Sequence, residues 1–233
     1  MKKCLLLFIL FKVFVFQAYA DNVILDFYQE LYDGRKTETS NGRVYIKNFS
    51  EEDRRVVYFN VTRPVNQVFK YLPNGLDIYY PEEKKLFELR RKKTGQADLD
   101  PVSSAFIKLD FKKLGFEIKK KKVAGNIIEE TWVPRNRTAV LSELIIKRKK
   151  NDTFLKMESR DKEGKVTMRI VYDMHVLIGG HEMPMYLEVY TVSDGIVHRE
   201  KLKFSSHKQV EKLPAKFETF TVPEDVRVYR SDY

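Results

Sequence analysis

The side chains that could perform chemistry are few and scattered along the chain. The sequence has four histidines, and two of them, His175 and His181, flank a Gly-Gly turn where they could face each other. Asp173 or Glu182 could supply a third metal ligand, which would suit a metal-dependent hydrolase. No spacing among these residues matches a known zinc motif, so two exposed hairpin histidines are the simpler interpretation. We therefore predict a protein that is not an enzyme and that needs no cofactor and no metal.

Methionine is concentrated in one part of the sequence. Apart from Met1, every methionine lies between positions 157 and 185, within adjacent predicted strands. Methionine side chains are unbranched and polarizable, so they adapt to apolar partners of variable shape. Two interpretations stay open, a pocket for flexible hydrocarbon chains and ordinary filling of a core.

Residues 1–20 have the pattern of a secretory signal peptide. Lys2 and Lys3 precede an apolar stretch, and Ala18-Tyr19-Ala20 resembles a cleavage site. A retained membrane anchor is the alternative, but Lys12 interrupts the apolar run, which is shorter than the ~20 residues of a membrane span. Cleavage would remove Cys4, the only cysteine, so the mature chain would form no disulfide.

The chain is basic, with a formal net charge of +10 that would fall to +7 on loss of residues 1–20, which contain three lysines and no acid. A basic exported protein suits lipid phosphates, lipopolysaccharide or an acidic partner protein. No motif interleaves the lysines with aromatic stacking residues, so no nucleic-acid partner is expected. The densest cluster, Lys119–Lys122, is predicted to lie at a turn before Gly125-Asn126, either solvated or in a partner site.

The stretch 56–80 predicts three consecutive strands. Val57, Phe59 and Val61 occupy every second position, which is typical of a strand with one buried face. Asn74-Gly75 favours a tight hairpin. Similar alternation recurs towards the C-terminus and predicts about ten antiparallel strands, the last at 217–222. This spacing is typical of a strongly curved sheet or a barrel.

Two segments have helical spacing. Val23, Phe27 and Leu31 would form one apolar stripe of a short helix that begins at Asp21-Asn22. Asp100-Pro101 predicts the start of a second helix that extends to about residue 113. The predicted fold is mainly β (α+β): an incomplete, strongly curved antiparallel β-barrel covered by short helices that form a lid.

Five short segments form a pattern when they are taken together. They are Gly42–Lys47 (GRVYIK), Thr62–Pro64 (TRP), Asn74–Pro81 (NGLDIYYP), Asp161–Gly164 (DKEG) and Phe217–Val226 (FETFTVPEDV). Their order and spacing resemble those of the LolA-like family, the periplasmic carriers and sorting proteins of outer-membrane lipoproteins. The resemblance extends over nearly the whole chain after residue 20.

The resemblance implies a signal peptide at 1–20, a single LolA-like domain at 21–233, and a monomer in the periplasm. Its hydrophobic cavity would bind the acyl chains of lipoproteins or other lipids beneath a lid at 101–113. It would receive them from an inner-membrane exporter and deliver them to an outer-membrane acceptor, with transient membrane contact. The alternative is an envelope sensor or binding module of this fold without lipid cargo. Alternation along the predicted strands selects the side chains that would line this cavity: Phe59, Met168, Ile170, Tyr172, Met174, Met185 and Leu187. The predicted lid residues are Phe106 and Leu109.

Overall fold

The computed structural model describes residues 21–51, 54–72, 75–90, 110–136, 141–193 and 195–232. Its strands are β1 (Asn22–Tyr32), β2 (Thr37–Lys47), β3 (Val56–Arg63), β4 (Gln67–Leu72), β5 (Gly75–Tyr80), β6 (Lys85–Arg90), β7 (Phe116–Ala124), β8 (Ile127–Pro134), β9 (Leu141–Lys149), β10 (Phe154–Asp161), β11 (Val166–Ile178), β12 (His181–Ser193), β13 (Ile196–Val210) and β14 (Arg227–Asp232). One helical turn, α1 (Ala215–Glu218), lies between β13 and β14. Within these ranges no helix has the length and apolar character needed to cross a membrane.

All fourteen strands belong to one sheet, in the order β14-β6-β5-β4-β3-β2-β1-β13-β12-β11-β10-β9-β8-β7. Neighbouring strands are antiparallel except β14, which is parallel to β6. The sheet is curved and does not close into a barrel. The prediction of a mainly β fold with an incomplete antiparallel barrel is confirmed, although the sheet has more strands than predicted.

One face of the sheet, which we call the inner face, carries the main apolar core. Phe59 on β3 and Phe204 on β13 are three strands apart, a distance of about 14 Å in a flat sheet. Their ring centroids are nevertheless only 6.4 Å apart. The sheet therefore curves towards this face, where side chains from β1 to β3 and from β7 to β13 form one buried cluster, against which Phe69 and Tyr71 of β4 pack.

The opposite, outer face of β2 to β6 is covered by residues 211–226, which we call the strap. Leu213 and Phe217 of the strap are buried with Tyr45 and Tyr58 in a second apolar cluster. The Phe217 ring stacks on that of Tyr45 with centroids 4.0 Å apart. The strap leads into β14, which completes the sheet beside β6.

The prediction of an N-terminal helix is wrong, because this segment forms β1. Val23, Leu25 and Phe27 are buried at every second position, whereas Leu31, which the helical stripe would have buried, is 39% exposed. β1 lies between β2 and β13 and pairs with both. These non-local backbone hydrogen bonds and the burial of one face outweigh the local helix signals.

The prediction of a last strand at 217–222 is also wrong. Phe217 lies in α1, and no strand is present between α1 and β14. Phe217 and Phe220 both contact Tyr58, with ring centroids 5.5 and 5.6 Å away. Two aromatic residues three positions apart thus pack on one side of the chain, which a strand with strict alternation does not allow.

The lysine cluster 119–122 lies within β7 and not at a turn, contrary to the prediction. β7 is an edge of the sheet, and all four lysines are exposed. Lysine side chains on an edge strand oppose pairing with the edges of other chains. The cluster therefore lies where charged side chains disfavour edge-to-edge pairing.

Glu158 on β10 is the centre of a cluster of charges. Its side chain is only 3% exposed, and its carboxylate oxygens lie 2.8 Å from Lys156 Nζ, 2.7 Å from Arg160 Nη2 and 3.0 Å from Arg169 Nε. Burial by itself raises the pKa of Glu158, but hydrogen bonds from these three cations outweigh it and hold the pKa at about 2.

We expect this cluster to make the stability of the fold depend on pH in acid. Because the pKa of Glu158 falls from 4.5 to about 2 on folding, its contribution is complete above about pH 4.5 and is lost as the pH falls towards 2. Glu158→Gln should lower the free energy of unfolding by about 2 kcal/mol at pH 7 and much less near pH 2. Urea unfolding at both pH values measures this. Glu163→Gln, at an exposed ion pair with Lys165, is the control and should change little. An equal loss for Glu158→Gln at both pH values would contradict the expectation.

Candidate functional site

The inner face contains a cleft of about 240 Å³, which we call the aromatic cleft. It extends across β4, β3, β1 and β13. Its lining consists of Phe27, Gln29, Phe59, Val61, Gln67, Phe69, Tyr71, Glu200 and Leu202. Four of these side chains are aromatic and three are polar, so the cleft is a concave surface that offers both apolar and polar contacts to a ligand.

β2 crosses this region without a side chain, because Gly42 lies opposite Phe27 on β1 and Val61 on β3. A Cβ atom at Gly42 would lie 2.0 Å from the carbonyl oxygen of Asn60 and 2.9 Å from Cε1 of Phe27. No other residue fits without a shift of the backbone. The glycine lets the Phe27 ring cross β2 and meet the Phe59 ring, with centroids 5.3 Å apart.

Phe59 is the centre of the aromatic wall. Its ring makes edge-to-face contacts with Phe27, with Tyr71 at 5.6 Å and with Phe204 at 6.4 Å. This arrangement is the favourable one for aromatic pairs and fixes the rings in place. Phe69 and Tyr71 are only partly buried, so the wall keeps accessible apolar surface.

One end of the aromatic cleft is polar. Gln29 Nε2 donates a hydrogen bond to Glu200 Oε1 at 2.6 Å, and Ser40 Oγ donates to Gln29 Oε1 at 2.6 Å. Gln67 lines the cleft at the start of β4, near the same end of the sheet. We call Gln29, Gln67 and Glu200 the polar rim. A ligand with an apolar chain and a polar head matches this combination.

Among the predicted lining residues that the structure describes, Phe59 lines the aromatic cleft and the others do not. Those others, apart from Met174, belong to the inner-face core on β11 and β12 or pack against it. They are Met168, Ile170, Tyr172, Met185 and Leu187. These side chains extend the apolar inner face beyond β13, and their contact with a ligand stays a prediction.

Met174 departs from the predicted alternation, because its side chain is 65% exposed. Its backbone has a φ of 54°, and its N–H donates to Asp173 Oδ1 at 2.7 Å. Tyr172 and Val176, two positions away on either side, stay at the inner core. The predicted inward orientation of Met174 is therefore wrong, because the strand leaves regular β geometry at this residue.

The predicted lid residues Phe106 and Leu109 lie outside the described residues. The described part of the predicted lid, 110–113, leads into turns at 111–115 and not into a helix. Phe111 in these turns packs against Trp132, with ring centroids 5.4 Å apart, and against Phe154 at 6.4 Å. The chain that leads into β7 is thus attached to the inner face.

The histidines have separate environments. His175 lies opposite Pro184 and His181 opposite Ile178 in the register of β11 and β12. His175 Nε2 is 3.0 Å from the carbonyl oxygen of Phe154, and the His181 ring packs edge-on against Phe49. Among the residues with assigned structure, no group of three or more histidine, cysteine or acidic side chains could hold a metal ion. The geometry gives the hydrolase alternative no support.

The sequence predictions missed the polar rim. Gln29 and Glu200 are 171 residues apart and meet only because β1 pairs with β13. Gln67 could have been found, since strand alternation places it on the same face as Phe69 and Tyr71.

Solved structures with the same architecture identify the fold. A DUF1329 family protein from Desulfovibrio piger superposes with a TM-score of 0.59 and 13% identity, covering 88% of this chain and 91% of that chain. A LolA superfamily protein from Nitrosomonas europaea superposes with a TM-score of 0.53 and 13% identity, covering 86% of this chain and 90% of that chain. A domain from Vibrio parahaemolyticus that is assigned to outer membrane lipoprotein sorting superposes with a TM-score of 0.59 and 11% identity. The match covers 85% of this chain and 89% of that chain. The chain has the LolA-like fold.

At these identities the similarity to the LolA-like structures concerns the fold alone. No family model and no curated protein matches the sequence. The aromatic cleft with its polar rim is the feature of this chain that suits a ligand.

Proposed function

We propose that the protein is a non-enzymatic periplasmic carrier that binds the acyl chains of lipoproteins or related lipids and takes them towards the outer membrane. The observation that supports the proposal is the aromatic cleft of about 240 Å³ with its polar rim, on the inner face of a LolA-like sheet. The similar domain assigned to lipoprotein sorting adds support through the shared fold. An inner-membrane exporter and an outer-membrane acceptor would be its partners.

The size of the aromatic cleft agrees with reversible binding. Its volume of 240 Å³ is below the roughly 300–1,000 Å³ of pockets for small molecules, so it would enclose part of one chain. Each buried methylene contributes about 0.8 kcal/mol, and six of them would contribute about 5 kcal/mol. A carrier that must release its cargo at a membrane needs such moderate affinity.

A second candidate function is an envelope sensor or binding module without lipid cargo. The observation that favours it is the filled state of the inner face on β11 and β12. Ile170 and Leu187 are both 0% exposed there, and Tyr172 is 3% exposed, so their own neighbours cover them. Under this function the aromatic cleft would bind no acyl chain.

A cleft-filling variant tests the proposed carrier. Gln67→Trp should weaken the binding of a fluorescent long-chain fatty acid at least tenfold, because the indole would occupy the entrance of the cleft. The affinity of a triacylated lipopeptide, measured by displacement of the fatty acid, should fall by a similar factor. Gln67 is only partly buried, so the fold should tolerate the larger side chain. Fluorescence titration measures both affinities.

The matched control is Ser205→Trp, which places the same side chain at an exposed position of β13, next to the inward-facing Phe204. Its affinity for the fatty acid should equal that of the unchanged protein. Equal weakening by both variants would contradict the carrier proposal. Absence of saturable binding to the unchanged protein would favour the sensor or binding module.

A further inference from the structure

Three hairpin turns meet at one end of the sheet, those of β7–β8, β9–β10 and β11–β12. The backbone N–H of Lys150 donates to the carbonyl oxygen of Asn126 at 3.0 Å, which joins the first two turns. An ion pair between Lys149 and Glu182 joins the second turn to the third. The three turns therefore form one continuous surface.

The three most exposed large apolar side chains of the described ranges all lie at this end. They are Val123 at 55%, Met174 at 65% and Leu177 at 69%. The positive φ of Met174 takes its side chain out of the inner core, where regular alternation would have put it. Exposed apolar side chains at one end of a molecule are typical of a site of contact with an apolar partner.

Cross-strand pairs and one hydrogen bond connect Val123 on β7 with β11, the strand that carries Met174 and Leu177. Val123 pairs with Ile128, which pairs with Arg148, and Arg148 pairs with Phe154. The carbonyl oxygen of Phe154 is in turn 3.0 Å from Nε2 of His175, the residue after the exposed methionine. One cross-strand row thus links β7 to β11 beside the turns.

Basic side chains lie at the same end of the sheet, near the β7–β8 and β9–β10 turns. Lys120, Lys122 and Lys150 are exposed, and none of them has an ion pair with a residue that the structure describes. Lys121 and Arg148 share the carboxylate of Glu130. The cross-strand neighbour of Lys122 is Glu129, which is also exposed, and that of Lys120 is Thr131. Exposed lysines that form no ion pair attract an anionic surface.

We propose that this end of the sheet docks on an anionic lipid bilayer. Val123, Met174 and Leu177 would enter the boundary between headgroups and acyl chains, while the lysines would contact lipid phosphates. We call Val123, Met174, Leu177, Lys120, Lys122 and Lys150 the tip surface. A bilayer offers phosphates to the lysines and acyl chains to the three apolar side chains, and an acidic protein is the alternative that the test below distinguishes.

The tip surface is separate from the aromatic cleft. The polar rim lies towards the β3–β4 and β12–β13 turns, which are at the opposite end of the strands. Bilayer docking therefore goes beyond the proposed carrier function and does not depend on cargo. Loss of fatty-acid binding in the cleft would leave it unaffected, so the two proposals fail separately.

Vesicle flotation tests the docking proposal. The full chain is used throughout, so that any contribution of residues 1–20 is common to all variants. We expect binding to phosphatidylcholine vesicles that contain phosphatidylglycerol, at least tenfold weaker binding to phosphatidylcholine alone, and a decrease as salt rises. A triple variant should weaken binding to the anionic vesicles at least tenfold; its changes are Lys120→Gln, Lys122→Gln and Lys150→Gln. Met174→Ser with Leu177→Ser should also weaken it several-fold.

Matched controls carry the same changes elsewhere. Val65→Ser with Ile196→Ser alters two exposed apolar residues at the opposite end of the sheet, at 47% and 43% exposure. Lys162→Gln with Lys203→Gln and Lys212→Gln removes the same number of charges. Thermal unfolding confirms that all variants fold. Equal losses for tip and control variants would overturn the proposal, as would binding to an acidic soluble protein without binding to anionic vesicles.

Discussion

Phe217→Ala should lower the free energy of unfolding by about 3–5 kcal/mol, as is usual for the loss of a buried phenylalanine. The Phe217 side chain is 3% exposed, stacks on Tyr45 at 4.0 Å and contacts Tyr58 at 5.5 Å. Truncation would leave a cavity between the strap and the sheet, and it would expose one face of both tyrosines. Urea unfolding monitored by circular dichroism measures the change.

The matched control for the strap is Phe220→Ala. Phe220 also contacts Tyr58, at 5.6 Å, but it is only partly buried, so its removal should cost about 1–2 kcal/mol. Because the strap leads into β14, amide hydrogen exchange in 227–231 should rise with Phe217→Ala. A loss of stability no larger than that of Phe220→Ala would contradict the role given to Phe217.

Gly42→Ala should lower the free energy of unfolding by about 3 kcal/mol and reduce ligand binding in the aromatic cleft. The new Cβ would lie 2.0 Å from the carbonyl oxygen of Asn60, so β2 and β3 would have to move apart. It would also lie 2.9 Å from the Phe27 ring and would displace it from Phe59. Urea unfolding and fatty-acid titration measure the two effects.

The control for Gly42→Ala is the same exchange at Gly164, in the turn between β10 and β11. A Cβ there has no neighbour within 4 Å, and the cost arises only from its φ of +80°. We expect about 1 kcal/mol for Gly164→Ala and no change in binding. Full stability and full affinity for Gly42→Ala would show that β2 does not limit the cleft.

Local patterns predicted the parts of the fold in which one face of a strand is buried. Val57, Phe59 and Val61 alternate in sequence and are all buried on the inner face of β3. Local patterns failed where distant pairing decides the structure, as in β1, where Val23 and Phe27 fit both a helical stripe and every second position of a strand. Only contact with β2 and β13 distinguishes the two.

The candidate site could be predicted only in part for the same reason. Phe59 follows from alternation, and Phe69 and Tyr71 belong to the same predicted meander. Glu200 and Gln29 are 171 residues apart in sequence and come together only because β1 pairs with β13, which no local pattern indicates. The outward orientation of the Met174 side chain depends on a single backbone φ angle of 54°. Alternation of apolar residues in the sequence does not indicate such a local departure from strand geometry.

The most direct measurement for the carrier account is photo-crosslinking with a fatty acid that carries a diazirine on its chain, followed by peptide mapping. We expect crosslinks at the cleft residues Phe27, Phe69, Tyr71 and Leu202, and their loss when a triacylated lipopeptide competes. Crosslinks confined to the outer face, or crosslinks in the cleft that the lipopeptide does not reduce, would contradict the account.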